Sequence, residues 1–185
     1  YAPSPEELHS TLVRKGARVV LGIDPSLGIP GRDYTGLAVV ARLYSSKVRY
    51  VLHAEMLRQR PDQVIEHVVK LCRMFDIRSI GFESVQFQAL MGTNLRHRLD
   101  AEPLRGVWIQ DIKQTMPKIM RFQTLQPELA SGRLRLSARH QPLISQLLQV
   151  PHGTHDDIVD ALEIALRHAD KPQARAVSTL SGADP

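Results

Sequence analysis

Three apolar runs follow one another near the start of the chain: RVVLGI from Arg18, TGLAVVARLY from Thr35 and KVRYVLHAEML from Lys47. Turn-forming residues lie between them, so they pair most simply as neighbouring antiparallel strands. The period then changes. Val64, Ile65, Val68, Leu71, Cys72 and Phe75 recur at helical spacing behind Pro61, a favoured first-turn residue. A short strand around SIGF, a helix around FQALMGTNLRHRL, a strand around GVWIQ and then largely helical sequence complete the order. Three antiparallel strands followed by strands alternating with helices predict an α/β fold, a mixed sheet flanked by helices.

The chain has 185 residues, of which 43% are hydrophobic, enough for one core and a single domain. Ser4, Pro5 and Glu7 form the pattern of a capped helix start ahead of Leu8, Leu12 and Val13. Residues 1–17 are expected to be a helix or linker and residues 18–169 the compact domain. Residues 170–185, rich in Pro, Ala, Ser and Gly, are expected to be a flexible tail. The absence of an initiator Met suggests a piece of something longer. The single cysteine, Cys72, has no internal disulfide partner and shares the helical stripe of Val68, Leu71 and Phe75, which predicts a packing role. No apolar run reaches membrane length, and no membrane partner is expected.

Acidic residues fall where they can meet. Asp24 ends the first apolar run and precedes Pro25, which ends backbone pairing there. Turn chemistry alone would also account for it. Asp33 belongs to the turn GRDYTG, with a structural role or a metal contact through water both open. Glu83 ends SIGF, where an acid must face solvent, a partner or a metal, with Ser84 and Gln86 close enough to hydrogen-bond to it or to a ligand. The segment HDDIVDAL opens a helix that Gly153 and Thr154 can set off and cap, with Ile158, Leu162, Ala165 and Leu166 as its buried stripe. Asp157 and Asp160 are three apart on one face, while Asp156 points about a quarter turn away. Helix-dipole capping explains some of these acids but not three in five residues. His155 can be a ligand, a proton donor or a plain hydrogen-bonding residue. Carboxylate oxygens suit hard cations such as Mg²⁺ and Mn²⁺, and a pair of such ions can clamp both the attacking and the leaving oxygen of a phosphodiester. Acids clustered this way repel without cations, so a raised carboxyl pKa and stabilisation by metal are expected.

The net charge of +5 and a pI near 9.7 favour a polyanionic partner. From Asp111 to His140 six basic residues, Lys113, Lys118, Arg121, Arg133, Arg135 and Arg139, face two acids and carry four of the five net charges. Such residues give sequence-independent, salt-sensitive contacts to phosphate, although a solvated helix face explains any one of them as well. Lys118 and Arg121, three apart, share a helix face. Arg133 and Arg135 alternate with Leu134 and Leu136 as on a half-exposed strand. Aromatic content of 5%, with one Trp, argues against a single-strand binder built on stacked bases.

The ordered set GIDPSLG, DYTG, GFES, KIMRFQTLQPELASGRLRL and HDDIVDAL, spanning Leu21 to Leu166, resembles the ribonuclease H-like nucleases. Within that superfamily it is most similar to the nuclease domain of the large terminase subunit of tailed bacteriophages and herpesviruses. The resemblance implies a ribonuclease H-like mixed sheet and a metal-dependent endonuclease that cuts double-stranded DNA during viral genome packaging with two Mg²⁺ or Mn²⁺ ions. It implies Asp24, Glu83 and Asp157 as catalytic residues, Asp24, Glu83, Asp156 and Asp157 as metal ligands, Asp160 as a ligand or an orienting neighbour, and Lys118 and Arg121 as DNA contacts. It also implies an ATPase motor, a small terminase subunit and a portal as partners, in the host cell cytoplasm. No GxxxxGK[ST] loop is present, so a motor would have to lie outside this sequence.

Other readings use the same residues. GIDPSLG also resembles the phosphate loop of actin-like ATPases and sugar kinases, but those pair two such domains and this chain is too short. A Holliday-junction resolvase or a transposase core needs nearly the same acids. A DNA-binding module that docks on a motor and no longer cuts would do better without them.

Overall fold

The computed structural model describes residues 3–25, 34–83, 88–104, 106–113, 116–150, 152–153 and 155–171. Asp33, Ser84, Gln86, Thr154 and the tail from residue 172 onward lie outside the described residues. The elements run α1 (Pro5–Arg14), β1 (Arg18–Asp24), β2 (Thr35–Arg42), β3 (Arg49–Leu57), α2 (Pro61–Met74), β4 (Ser79–Phe82) and α3 (Gln88–Asp100). Then come β5 (Trp108–Asp111), α4 (Lys118–Ala130), β6 (Leu134–Arg135), α5 (Gln141–Gln149) and α6 (Asp157–Asp170).

The six strands form one sheet in the order β5-β4-β1-β2-β3-β6. β1, β2 and β3 are antiparallel neighbours, as their short connections require, while β4 and β5 join β1 in parallel through the α2 and α3 crossovers. The mixed sheet flanked by helices is the architecture that the sequence pattern predicts. Side chains alternate between two cores. Leu21, Ile23, Leu37, Val39, Ile80 and Phe82 face α1, α2 and α3. Val20, Ala38, Val40 and Val51 face α4, α5 and α6. Ser4 and Glu7 form the expected capping box, with Glu7 N–H donating to Ser4 Oγ at 3.2 Å and Ser4 N–H to Glu7 Oε2 at 2.8 Å, and Leu12 of α1 is buried in the first core. Cys72 is fully buried there, and burial pushes its thiol up to about 12, which fits packing rather than reactivity.

Helix α6 sets the geometry of everything that follows. It crosses β2, β1 and β4 almost in contact with their backbones, because each strand carries a glycine beneath it. A Cβ on Gly22 would lie 2.2 Å from the carbonyl oxygen of Ala161, one on Gly36 2.0 Å from that of Asp157, and one on Gly81 3.0 Å from Cβ of His168. Ala161 and Ala165 present equally small side chains from above. The helix is therefore buried nearly all round, including Asp160, Glu163 and His168. The sequence stripe of Ile158, Leu162, Ala165 and Leu166 is correct but understates this burial. His168 meets Ser79 Oγ through Nε2 at 2.6 Å. Burial, followed by the charges of Arg18 and Lys171, holds its pKa down at about 4. No described helix is long and apolar enough to cross a membrane.

Candidate active site

β1 and β4 run side by side with Ile23 opposite Phe82, so Asp24 and Glu83 follow one step later at the same end of the sheet. Glu83 N–H donates to Ile23 O at 3.3 Å, extending the ladder to the acid itself. Strand alternation then fixes the face. Ile23 and Phe82 belong to the core under α2 and α3, so the next residues, Asp24 and Glu83, turn toward α6. Asp111 ends β5 in the same manner but pairs with Phe82, which puts it on the opposite face. Two of three strand-end acids therefore share a face, and register decides which two.

The third group comes from above. Gly36 pairs with Asp24 across β1 and β2, and Gly36 lies directly under Asp157 at the start of α6. Asp160, one turn further along, lines the same site. The electrostatics agree with this convergence. The Asp24 carboxyl is pushed up to about 8, first by burial and then by the charges of Asp160, Glu83 and Asp157, with Lys118 opposing. Asp157 and Asp160 are also raised, each mainly by burial. This is the raised pKa expected of acids gathered without cations. No three of the acids bring carboxylate oxygens within 4.8 Å of one another; among the described residues only His53, Glu55 and His67 bring three donor atoms that close. Like charges hold each other apart in this way, and donors shared between two ions about 3.5–4 Å apart need not touch. An all-oxygen donor set with uncompensated negative charge fits Mg²⁺ or Mn²⁺ and not a soft metal.

The start of α6 is capped from another helix. Its N-cap residue, Asp156, makes no side-chain capping bond. Gln146 of α5 does that work: its Oε1 accepts from Ile158 N–H at 2.9 Å and Val159 N–H at 3.4 Å, and the residue is buried. Of the expected cap from Gly153 and Thr154, Thr154 lies outside the described residues, and a side-chain cap bond does not account for Asp156.

Asp156 is paired instead with Lys118 of α4, whose ammonium lies 2.7 Å from Asp156 Oδ1 and 2.6 Å from Asp160 Oδ2. Among the described residues, the ion-pair partner of Asp157 is His155 Nδ1, 3.8 Å away, and the imidazole of His155 is edge-on to Tyr34. Asp160 was readable in the sequence as the i+3 neighbour of Asp157, yet its place among the groups acting on Asp24 needed the fold.

The expected DNA contacts divide. Lys118 is 42% exposed in its side chain and stands at the rim of the site. Arg121, by contrast, is 8% exposed, and its Nη1 bonds Asp160 at 3.1 Å and Glu163 at 3.3 Å. The shared helix face is real, but it packs on α6 instead of facing solvent, which corrects the picture of Arg121 as a surface phosphate contact. Arg133 is engaged with Glu128 at 2.9 Å, and the Arg135 guanidinium lies over the ring of Tyr50, 5.4 Å from its centroid.

Known proteins resemble this chain in fold and not in sequence. No protein-family model matches the sequence, and no curated protein is similar to it. Among solved structures, the nuclease domain of the phage P22 large terminase matches with a TM-score of 0.58 at 11% identity, over 84% of this chain and 87% of that one. The large terminase nuclease of thermophilic phage G20c matches with 0.56 at 14%, over 82% of each. The fowlpox virus resolvase, in complex with Holliday-junction DNA, matches with 0.50 at 8%, over 82% of this chain and 96% of that one. The fold is ribonuclease H-like. At these identities the likeness speaks for the fold alone, and both terminase and resolvase nucleases share it.

Proposed function

We propose that this chain is a metal-dependent endonuclease that cuts double-stranded DNA, acting as the nuclease domain of a viral genome-packaging terminase. One observation carries the reading: Asp24, Glu83 and Asp157, distant in sequence, face one another across a shared end of β1, β4 and α6, and burial with mutual repulsion drives Asp24 to about 8. A purely structural or docking surface gains nothing from so costly an arrangement. Two Mg²⁺ or Mn²⁺ ions held there would supply an activated water and stabilise the departing 3′ oxygen.

The chain's own residues supply the frame. Asp24 and Glu83, fixed by adjacent strands, and Asp157, fixed by the close packing of α6 on Gly36, would hold the ions. Asp160 shapes the charge around Asp24, and Arg121 with Glu163 locks Asp160 in place. Lys118 neutralises Asp156 and Asp160 at the rim, where a DNA phosphate can compete for its ammonium. His155, exposed beside Asp157, is placed to pass a proton to solvent. The terminase role brings with it an ATPase motor, a small subunit and a portal as partners in the cytoplasm of an infected host cell.

A second reading, a junction resolvase, has one point in its favour: the match covers 96% of the fowlpox resolvase chain. Competition between linear duplex and a four-way junction, with end analysis of the products, separates the two. A terminase nuclease cuts the duplex without preference for the junction and leaves 5′ phosphates. Selective, symmetric cutting of the junction by a stable dimer would establish the resolvase instead.

A further inference from the structure

On the opposite face of the sheet, three further side chains converge. His53 and Glu55 stand two apart on β3, and His67 reaches over from α2. Their donor atoms all lie within 4.8 Å of one another. His53 Nε2 and His67 Nε2 approach the same oxygen, Glu55 Oε1, at 2.8 and 2.5 Å. A β-bulge makes this possible. Val39 pairs with His53 and Val40 with Val51, which leaves Leu52 as an extra residue in β3. Regular alternation from Val51 would turn His53 and Glu55 toward α6, whereas the inserted residue flips both onto the face of α1 and α2.

We propose that His53, Glu55 and His67 bind a single transition-metal ion of the zinc class, at a site separate from the carboxylates of the candidate active site. Two imidazoles and one carboxylate are a donor set that such an ion accepts, with the fourth position left to water. The side chains are 32%, 24% and 31% exposed, while His53 Nε2 itself is buried. Bonds of about 2.0–2.1 Å at tetrahedral angles separate two donors by about 3.3 Å, a spacing that each imidazole reaches from Glu55 Oε1 by opening less than about 1 Å.

His67 Nε2 hydrogen-bonds Glu55 Oε1, and His53 Nε2, buried and 2.8 Å away, places a second imidazole nitrogen against the same oxygen. Phe75 lies 6.2 Å from the His53 ring and restricts its swing.

The test is titration of the 185-residue chain with Co²⁺, read by the visible absorption of a tetrahedral nitrogen-containing site, in excess Mg²⁺ to occupy the carboxylates. The expected result is one equivalent bound, displaced by Zn²⁺, weakened at least tenfold in His67→Ala and retained in Asp24→Asn. Glu55→Gln, which keeps the side-chain volume, takes the place of His67→Ala if the latter does not melt cooperatively. Absence of the signal in the parent chain, its persistence in the ligand variants, or its loss in Asp24→Asn would overturn the proposal.

Discussion

Gly36 lies so close beneath Asp157 that a Cβ on the glycine would come within 2.0 Å of the aspartate's carbonyl oxygen. The start of α6 is thus seated on bare backbone, and Asp24, paired with Gly36, receives Asp157 as a neighbour for that reason. Gly36→Ala should push the helix start away from the sheet. Overpacking of this kind costs about 1–3 kcal/mol, measurable by urea unfolding, and metal-dependent cleavage should fall further than stability does. Gly92→Ala is the control: its Cβ would have nothing nearer than 3.6 Å, and alanine inside α3 should be neutral or stabilising.

Asp24 makes stability depend on pH. Its pKa is raised from 3.8 to about 8, so between those values the folded chain holds a proton that the unfolded chain has released. Stability is greatest below the unfolded value and falls as pH rises toward 8, by at most about 1.4 kcal/mol per pH unit. His168 acts in the opposite sense, with stability lost as pH falls from 6.5 through about 4, so the window from pH 6.5 to 8 lies above its range. Melting across that window without divalent cation should show the decline. Asp24→Asn should flatten it, and saturating Mn²⁺ should reverse it by binding the folded state.

Lys118 and Arg121 should separate cleanly despite sharing a helix face. Arg121→Ala leaves Asp160 and Glu163 buried without their cation and should destabilise by about 3–5 kcal/mol in denaturant unfolding. Lys118→Ala, at a half-exposed position, should unfold within about 1 kcal/mol of the parent. Its effect should appear in DNA binding, as a shallower dependence of affinity on salt.

Gln146→Leu removes the acceptor for Ile158 N–H and Val159 N–H and should cost about 0.5–2 kcal/mol. Because these amides open the helix that carries Asp157, weaker Mn²⁺ stabilisation in thermal melting should accompany the loss.

Much of the fold was legible because its signals are local. The spacing of the first three apolar runs sets the antiparallel strands, the period of Val64 to Phe75 sets α2, and Ser4 with Glu7 sets the first cap. The acids were legible too, since each stands at the end of an apolar strand or the start of a helix. What escaped depends on partners far along the chain. Arg121 reads as a surface cation until Asp160 and Glu163 come to it from α6. Gln146 gives no sign in sequence that it caps a helix twelve residues on. Leu52 does not announce a bulge, so nothing in the alternation of β3 placed His53 and Glu55 beside His67. Asp111 has the same strand-end position as Glu83, and only the pairing register sends it to the other face.

The most direct measurement of the central claim is cleavage of supercoiled plasmid by this chain in Mn²⁺, Mg²⁺ and EDTA, beside Asp24→Asn and Glu83→Gln. The expected result is nicking and linearisation that require the divalent ion and disappear in both variants, while thermal melting shows each variant folded. Cleavage that survives EDTA or either substitution, or no cleavage by the parent chain with either ion, would contradict it.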